Sequence, residues 1–158
     1  MPSEAIPRSN AVVASSGDFY AFRRLGVIVY DGTVRRCDTE NVDTCYIDDK
    51  GNLLFSYRGE LSSVESAQAF VDENHVRFSL AFGPVLIADG KPCEIGTYSL
   101  GEVYGRYARA GLGQLGELHY LQVASNGEHP YTNAATVSEF QQQMMAFGCQ
   151  QAYALDGG

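Results

Sequence analysis

Short apolar runs separated by Asp-Gly, Gly-Asn and Gly-Pro steps fill most of this chain, and two stretches instead carry the three-and-four spacing of a helix. Residues 27–30 and 33–36 are β-branched runs on either side of Asp31-Gly32, the strongest hairpin signal in the chain, and predict a two-residue type I′ turn. Residues 44–47 and 53–57 predict a second hairpin across 48–52. Residues 76–81 alternate as a strand until Phe82-Gly83-Pro84 interrupts it. Residues 85–88 resume, and Asp89-Gly90 turns the chain toward Lys91-Pro92. Residues 94–107 are punctuated by glycine and predict irregular structure. Residues 118–124 read as a strand that precedes the loop 125–135. Near the start, 11–15 is one more short apolar strand leading into Ser16-Gly17-Asp18.

The two helical stretches each open on a capping signal. Ser62 with Glu65 is a capping box ahead of an apolar face made by Val64, Ala67, Phe70 and Val71, ending near Asn74. Thr136 with Glu139 is a second, ahead of a stripe at Val137, Phe140, Met144 and Phe147. Gly148 then suits a left-handed position just past the helix. A buried strand at 152–155 follows and runs into Asp156-Gly157-Gly158.

The order strands, helix, strands, helix, strand predicts an α+β fold: a mixed, mostly antiparallel sheet or sheets with two amphipathic helices packed on the core. With 158 residues, one domain is expected over 11–158, preceded by a polar N-terminal segment, 1–10. Neither a repeat nor a domain boundary interrupts it. Tyrosine is abundant (10) and glycine more so (17), a mix suited to strands and turns. A net charge of −8 argues against nucleic acid or an anionic membrane surface as partner, since both need clustered Lys and Arg. There is no run of about 18 apolar residues to span a membrane. Residues 1–10 carry no apolar core of an export signal. Cys37, Cys45, Cys93 and Cys149 form no C-x-x-C pair. A Cys37–Cys45 bridge across a short polar loop, a Cys93–Cys149 bridge between distant segments, and four buried thiols all remain open.

Gly111-Leu-Gly113-Gln-Leu-Gly116 spells the dinucleotide fingerprint. Its glycines lead into an alternating segment, Glu117 to Val123, and not into a helix, so no pyrophosphate site is expected. His75, His119 and His129 stand far apart without metal-ligand spacing, so no metal and no cofactor is expected. His129, on a loop beside Pro130, is the histidine to place near a site. Arg106 and Arg109 lie among glycines and small residues, where a guanidinium can fork onto a phosphate or carboxylate. Asp18 and Asp156 each end a short apolar strand beside glycine. As a turn, Asp-Gly is a common hairpin step; as a site, two converging carboxylates suit glycoside hydrolysis.

Four segments, in this order, resemble the phosphodiester glycosidase family. Ser16-Gly17-Asp18-Phe19-Tyr20 is similar to its N-G-D-F-F. The segment from Ala81-Phe82-Gly83-Pro84 to Asp89-Gly90-Lys91 resembles its G-P-V-L-V-x-D-G-K. Arg109-Ala-Gly-Leu-Gly113 resembles R-T-A-I-G. Tyr131-Thr132-Asn133 to Thr136, the helix and Leu155-Asp156-Gly157-Gly158 resemble its closing loop, helix and N-L-D-G-G. Ala154 replaces that asparagine, and Asn126-Gly127-Glu128 stands where many relatives have Asp-Gly-Arg. The resemblance implies hydrolysis of a sugar 1-phosphodiester at the anomeric carbon, on a phosphorylated carbohydrate or envelope glycan outside the cytoplasm. It implies Asp156 as nucleophile or base, Asp18 as its partner and Arg109 as phosphate clamp. Gly83, His129, Thr132, Asn133, Gly157 and Gly158 would surround the substrate. Relatives continue past the last motif, so a further segment or a partner chain is expected to complete the site. The alternative is a carbohydrate-binding or structural domain on the same scaffold, without turnover.

Overall fold

A computed structural model describes residue 17 and residues 24–39, 42–95, 98, 103–127 and 134–157. The expected strand at 11–15 and the segment 1–10 lie outside the described residues. Among the described residues, ten strands form two five-stranded sheets. The first, ordered β2-β1-β5-β3-β4, contains β1 (Gly26–Tyr30), β2 (Thr33–Asp38), β3 (Thr44–Asp48), β4 (Leu53–Ser56) and β5 (Val76–Leu80). The second, ordered β7-β6-β10-β8-β9, contains β6 (Val85–Ala88), β7 (Lys91–Pro92), β8 (Ala110–Gly116), β9 (His119–Ala124) and β10 (Gln151–Leu155). Helix α1 spans Val64–Glu73 and helix α2 spans Val137–Ala146. The expected α+β arrangement is present, and every pairing between the described strands is antiparallel.

Alternation along the central strands builds a four-layer stack. On β10, Tyr153 and Leu155 enter a core shared with Cys45 and Leu53 of the first sheet, while Ala152 and Ala154 face the Phe140 and Met144 side of α2. On β3, Cys45 points between the sheets and Tyr46 points to Ala67 and Val71 of α1. The order is therefore α1, first sheet, second sheet, α2. The Gly-rich segment is strand β8, and its glycines have a packing role. A Cβ on Gly111 would lie 2.8 Å from the Phe140 ring, and one on Gly113 would lie 2.5 Å from Cys149 Sγ. Only glycine lets α2 and the segment after it settle this close to the sheet.

Several local expectations are corrected. The first capping box is Ser63 with Ser66, one residue later than Ser62 and Glu65. The Ser66 amide donates to Ser63 Oγ (3.1 Å) and the Ser63 amide to Ser66 Oγ (3.1 Å), so a hydroxyl does the work expected of the glutamate. Val64, at the first helical position, is exposed, as is Phe147, which caps α2 after its last buried turn. Gly148 has the expected left-handed φ of 83°. The four cysteines are free thiols: Cys45 lies between the sheets and Cys37 packs against the α1 layer, so neither bridge forms. Burial pushes the Cys45 thiol well above its ordinary range.

The Thr136–Glu139 box is as expected, and its glutamate has a second partner. Glu139 accepts two hydrogen bonds from Arg106, at 2.8 and 2.9 Å, besides those from Thr136. The Arg106 guanidinium holds the Glu139 carboxyl far below its usual 4.5, at about 2. A depressed carboxylate stabilises the fold above its unfolded pKa and loses that contribution as pH falls through the folded value. The melting-temperature gap between the wild type and Glu139→Gln is therefore expected to be widest above about pH 5 and to close toward pH 2. A gap independent of pH would contradict this.

Candidate active site at the open ends of strands 8 and 10

Strands β8 and β10 pair with Leu155 opposite Ala110, and one further step sets Asp156 level with Arg109. By alternation with Gly111, Arg109 falls on the face that meets α2. The position of Arg109 agrees, because its Nε donates to the Ala135 carbonyl (3.1 Å), one residue before the α2 cap, and its Nη2 to the Gly105 carbonyl (2.6 Å). The ring of Tyr107 lies 5.6 Å from its guanidinium carbon. Arg109 is 9% exposed, so its charge sits in a poorly hydrated rim. Its main chain is fixed on both sides by Ser125, whose Oγ accepts from the Arg109 amide (2.9 Å) and whose amide donates to the Arg109 carbonyl (2.7 Å).

Asp156-Gly157 is not a hairpin turn. Asp31-Gly32 and Asp89-Gly90 both have left-handed φ at each residue, as type I′ turns need, while Asp156 and Gly157 do not. Gly157 instead lies on the backbone of the neighbouring strand end, where an added Cβ would sit 2.6 Å from Arg109 Cα and overlap the Ala108 carbonyl. Asp156 donates its amide to the carbonyl of Gly17 (3.1 Å), so the residue preceding Asp18 in sequence lies against the β10 end. Asp18, His129, Thr132, Asn133 and Gly158 lie outside the described residues.

Gly83 is placed near the same end, on the loop entering β6. Its amide donates to the Ala154 carbonyl (3.2 Å), so that N–H is already engaged. Beneath it lies a polar hub that no local motif announces. The Tyr98 hydroxyl accepts from the Asp43 amide (3.0 Å) and donates to the Phe82 carbonyl (3.0 Å). Reciprocally, the Tyr153 hydroxyl accepts from the Phe82 amide (2.8 Å) and donates to the Asp43 carbonyl (2.7 Å). Two phenols thus tie the main chain before β3 to the main chain before β6. The Asp43 carboxylate adds bonds from the Val85 amide (3.1 Å), the Arg58 amide (3.2 Å) and Arg58 Nε (3.3 Å). Burial raises the Asp43 carboxyl above its ordinary range despite these donors and the Arg58 charge. The signal in the sequence was Tyr153, a hydroxyl inside an apolar strand that must find a partner.

Arg106, expected beside Arg109 as an anion binder, is engaged with Glu139 and the Ala134 carbonyl (2.8 Å) and is a structural residue of the α2 entrance. His75 follows α1 with a left-handed φ of 52°, and His119 is exposed on β9; neither approaches Arg109 as a described partner. Among the described residues no three His, Cys, Asp or Glu side chains gather as a metal site. No described helix is long and apolar enough to cross a membrane.

A profile of the phosphodiester glycosidase family matches residues 9–158. The fold is similar to that of the catalytic domain of zebrafish N-acetylglucosamine-1-phosphodiester alpha-N-acetylglucosaminidase, a structure auto-inhibited by its pro-peptide. The TM-score is 0.65 at 20% identity, over 90% of this chain and 50% of that one. A protein from Synechocystis described as hypothetical is similar at a TM-score of 0.65 and 14% identity, over 98% of this chain and 47% of that one. The chain thus spans about half the length of these two structures (50% and 47%). No curated protein sequence matches it. The profile covers nearly the whole chain, and on that ground the chain belongs to the phosphodiester glycosidase family.

Proposed function

We propose that the protein hydrolyses a sugar 1-phosphodiester at the anomeric carbon, releasing free sugar and a phosphomonoester. What supports this reading is the pairing of β8 with β10, Leu155 opposite Ala110, which brings Asp156 and Arg109 to adjoining strand ends, together with the hydrogen bond from the Asp156 amide to the Gly17 carbonyl. In the reaction the bond between C1 and the phosphate oxygen breaks, and its electron pair leaves with the phosphate. A water oxygen ends on C1 and its proton on a carboxylate, after direct attack or through an ester on the enzyme. Asp156 is the nucleophile or base and Asp18 its partner. A phosphate is a weak base that leaves without strong acid help, so the larger demand is for charge opposite its oxygens. Arg109 supplies that charge from a poorly hydrated position. Thr132, Asn133, His129, Gly83, Gly157 and Gly158 complete the surroundings of the substrate in this proposal. It also includes an envelope or exopolysaccharide glycan outside the cytoplasm as substrate, and a further segment or partner chain at the site.

The experiment is incubation with a sugar 1-phosphodiester and assay for reducing sugar, with Asp156→Asn as the comparison. Release by the wild type that falls by about a hundredfold or more in the variant is expected. Equal release by both would remove Asp156 from the mechanism. The second reading, carbohydrate binding without turnover, is favoured by one observation: the Nε–Nη2 edge of Arg109 holds main-chain carbonyls. Binding of the diester with no sugar released would support it.

A further inference from the structure

The strands that lead to Arg109 and Asp156 at one end open at their other end onto a cleft with a buried amide donor, and we infer that this cleft binds a small zwitterion, an α-amino acid with an apolar side chain. The inference stands apart from the hydrolase reading. Asp156 and Arg109 follow the Leu155–Ala110 end of the β10–β8 pair, and the cleft lies at the Gln151–Gln114 end, where the second sheet meets the start of β4. It encloses about 480 Å³. That volume falls within the range of about 300–1,000 Å³ usual for small-molecule sites. The chain on both sides of every residue named below is described, over 48–56, 112–120 and 148–153.

Gln114 is 5% exposed and lines the cleft. Its Oε1 accepts from the Leu53 amide (2.9 Å), and because a main-chain N–H can only donate, this bond fixes which end of the carboxamide is which. Nε2 is left as a donor, and no described residue accepts from it. Nor is it sealed away from the cleft as a fully buried orphan. An N–H in so poorly hydrated a place is costly to leave without an acceptor, and a ligand carboxylate oxygen removes that cost. Lys50 and Glu117 line the same cleft, and among the described residues neither has an ion-pair partner. A cation together with the N–H suits a ligand carboxylate, and the Glu117 carboxylate suits an ammonium. A ligand carrying both charges is neutral as a whole, so the chain's net charge of −8 does not repel it as it would a bare anion. Leu53 and Leu54 add apolar surface for the rest of the molecule.

The walls are held in place without a ligand. The Asp48 carboxylate accepts from the Lys50 amide (2.9 Å), the Asn52 amide (2.7 Å) and Asn52 Nδ2 (2.8 Å), which fixes the turn between β3 and β4. The Tyr120 hydroxyl donates to the Gly51 carbonyl (2.5 Å), so this turn of the first sheet is tied to β9 of the second. A cleft fixed in this way loses little to ordering when it is filled.

The test titrates the full chain with L-leucine, read by amide NMR and calorimetry. Isocaproate, which lacks the ammonium, and isoamylamine, which lacks the carboxylate, are the comparison probes. Leucine is expected to bind at millimolar concentration or below and to shift the Gln114 side-chain amide resonances. Each one-charge probe is expected to bind about tenfold more weakly, or worse. Gln114→Glu keeps an oxygen for the Leu53 amide but replaces the free N–H with an acceptor, and is expected to weaken leucine about tenfold or more. Lys50→Gln and Glu117→Gln change exposed side chains, which keeps the test decisive if the buried glutamate perturbs folding. The first is expected to weaken leucine and isocaproate, and the second leucine and isoamylamine. Absence of leucine binding, binding unaltered in both exposed variants, or shifts confined to the Arg109 and Asp156 end would each overturn the site. None of these readouts uses hydrolysis, so they stand or fall separately from the hydrolase reading.

Discussion

Asp43→Ala is expected to lower the free energy of unfolding by about 3–5 kcal/mol, as found when one member of a buried ion pair is removed. The Asp43 side chain is 4% exposed and accepts from three donors: the amides of Val85 and Arg58 and the Arg58 Nε. Alanine leaves both amides without that carboxylate, the Val85 amide in a buried place, and deprives a partly buried guanidinium of its counter-charge. Arg58 keeps its position over the Tyr98 ring, 4.5 Å from the centroid, which is worth far less than the carboxylate in such a setting. Tyr153→Phe is the milder companion. It removes only the hydroxyl between the Phe82 amide and the Asp43 carbonyl, at a cost of about 1–3 kcal/mol. Chemical denaturation of the three proteins reads both differences. An Asp43→Ala variant within about 1 kcal/mol of wild type would show that the hub relaxes around the loss, and the clamp between the sheets would have to be assigned elsewhere.

Arg109→Ala is expected to lower turnover of a sugar 1-phosphodiester by about 100- to 1,000-fold, roughly 2.7–4 kcal/mol of transition-state stabilisation, on the scale of a lost oxyanion donor. The residue also holds the Gly105 and Ala135 carbonyls, so a loss of rate alone does not separate charge from structure. The leaving group does. If Arg109 acts on developing phosphate charge, the variant loses much more on a phosphodiester than on a nitrophenyl glycoside of the same sugar. Arg109→Lys, which keeps the charge but not the planar fork, should then recover part of the phosphodiester rate. Equal losses on both substrates, with no recovery by lysine, would make Arg109 a scaffold residue only.

Most of the element order was legible from local chemistry. The Asp31-Gly32 and Asp89-Gly90 steps turn hairpins because Gly and Asp tolerate the left-handed backbone such turns require, and each dipeptide carries that preference wherever it occurs. The Thr136–Glu139 box was equally readable, because its partners are three residues apart. Where competing caps stood side by side, local reasoning chose Ser62 and Glu65, and the structure used Ser63 and Ser66. Both offer a hydroxyl at the right spacing, and only the fit of α1 onto Tyr46 and Val27 separates them. The same holds for Asp156-Gly157, identical in sequence to the two turns. It lacks the left-handed φ of those turns, and Gly157 lies instead against the backbone of Ala108 and Arg109.

Taken alone, the sequence determined the two helices, the hairpins, the exclusion of a dinucleotide loop at Gly111 and the family resemblance. Each of these depends on residues close in the chain or on the order of short motifs. Tertiary structure decided that Arg106 pairs with Glu139 and that Arg109 instead holds the Gly105 and Ala135 carbonyls. It also decided that Tyr98 and Tyr153 join Asp43 to Phe82, across separations of up to 110 residues. Such pairings are set by how two sheets and two helices stack. A hydroxyl or a guanidinium bonds whatever the packing places within about 3 Å of it, and nothing in its own neighbourhood along the chain specifies that partner.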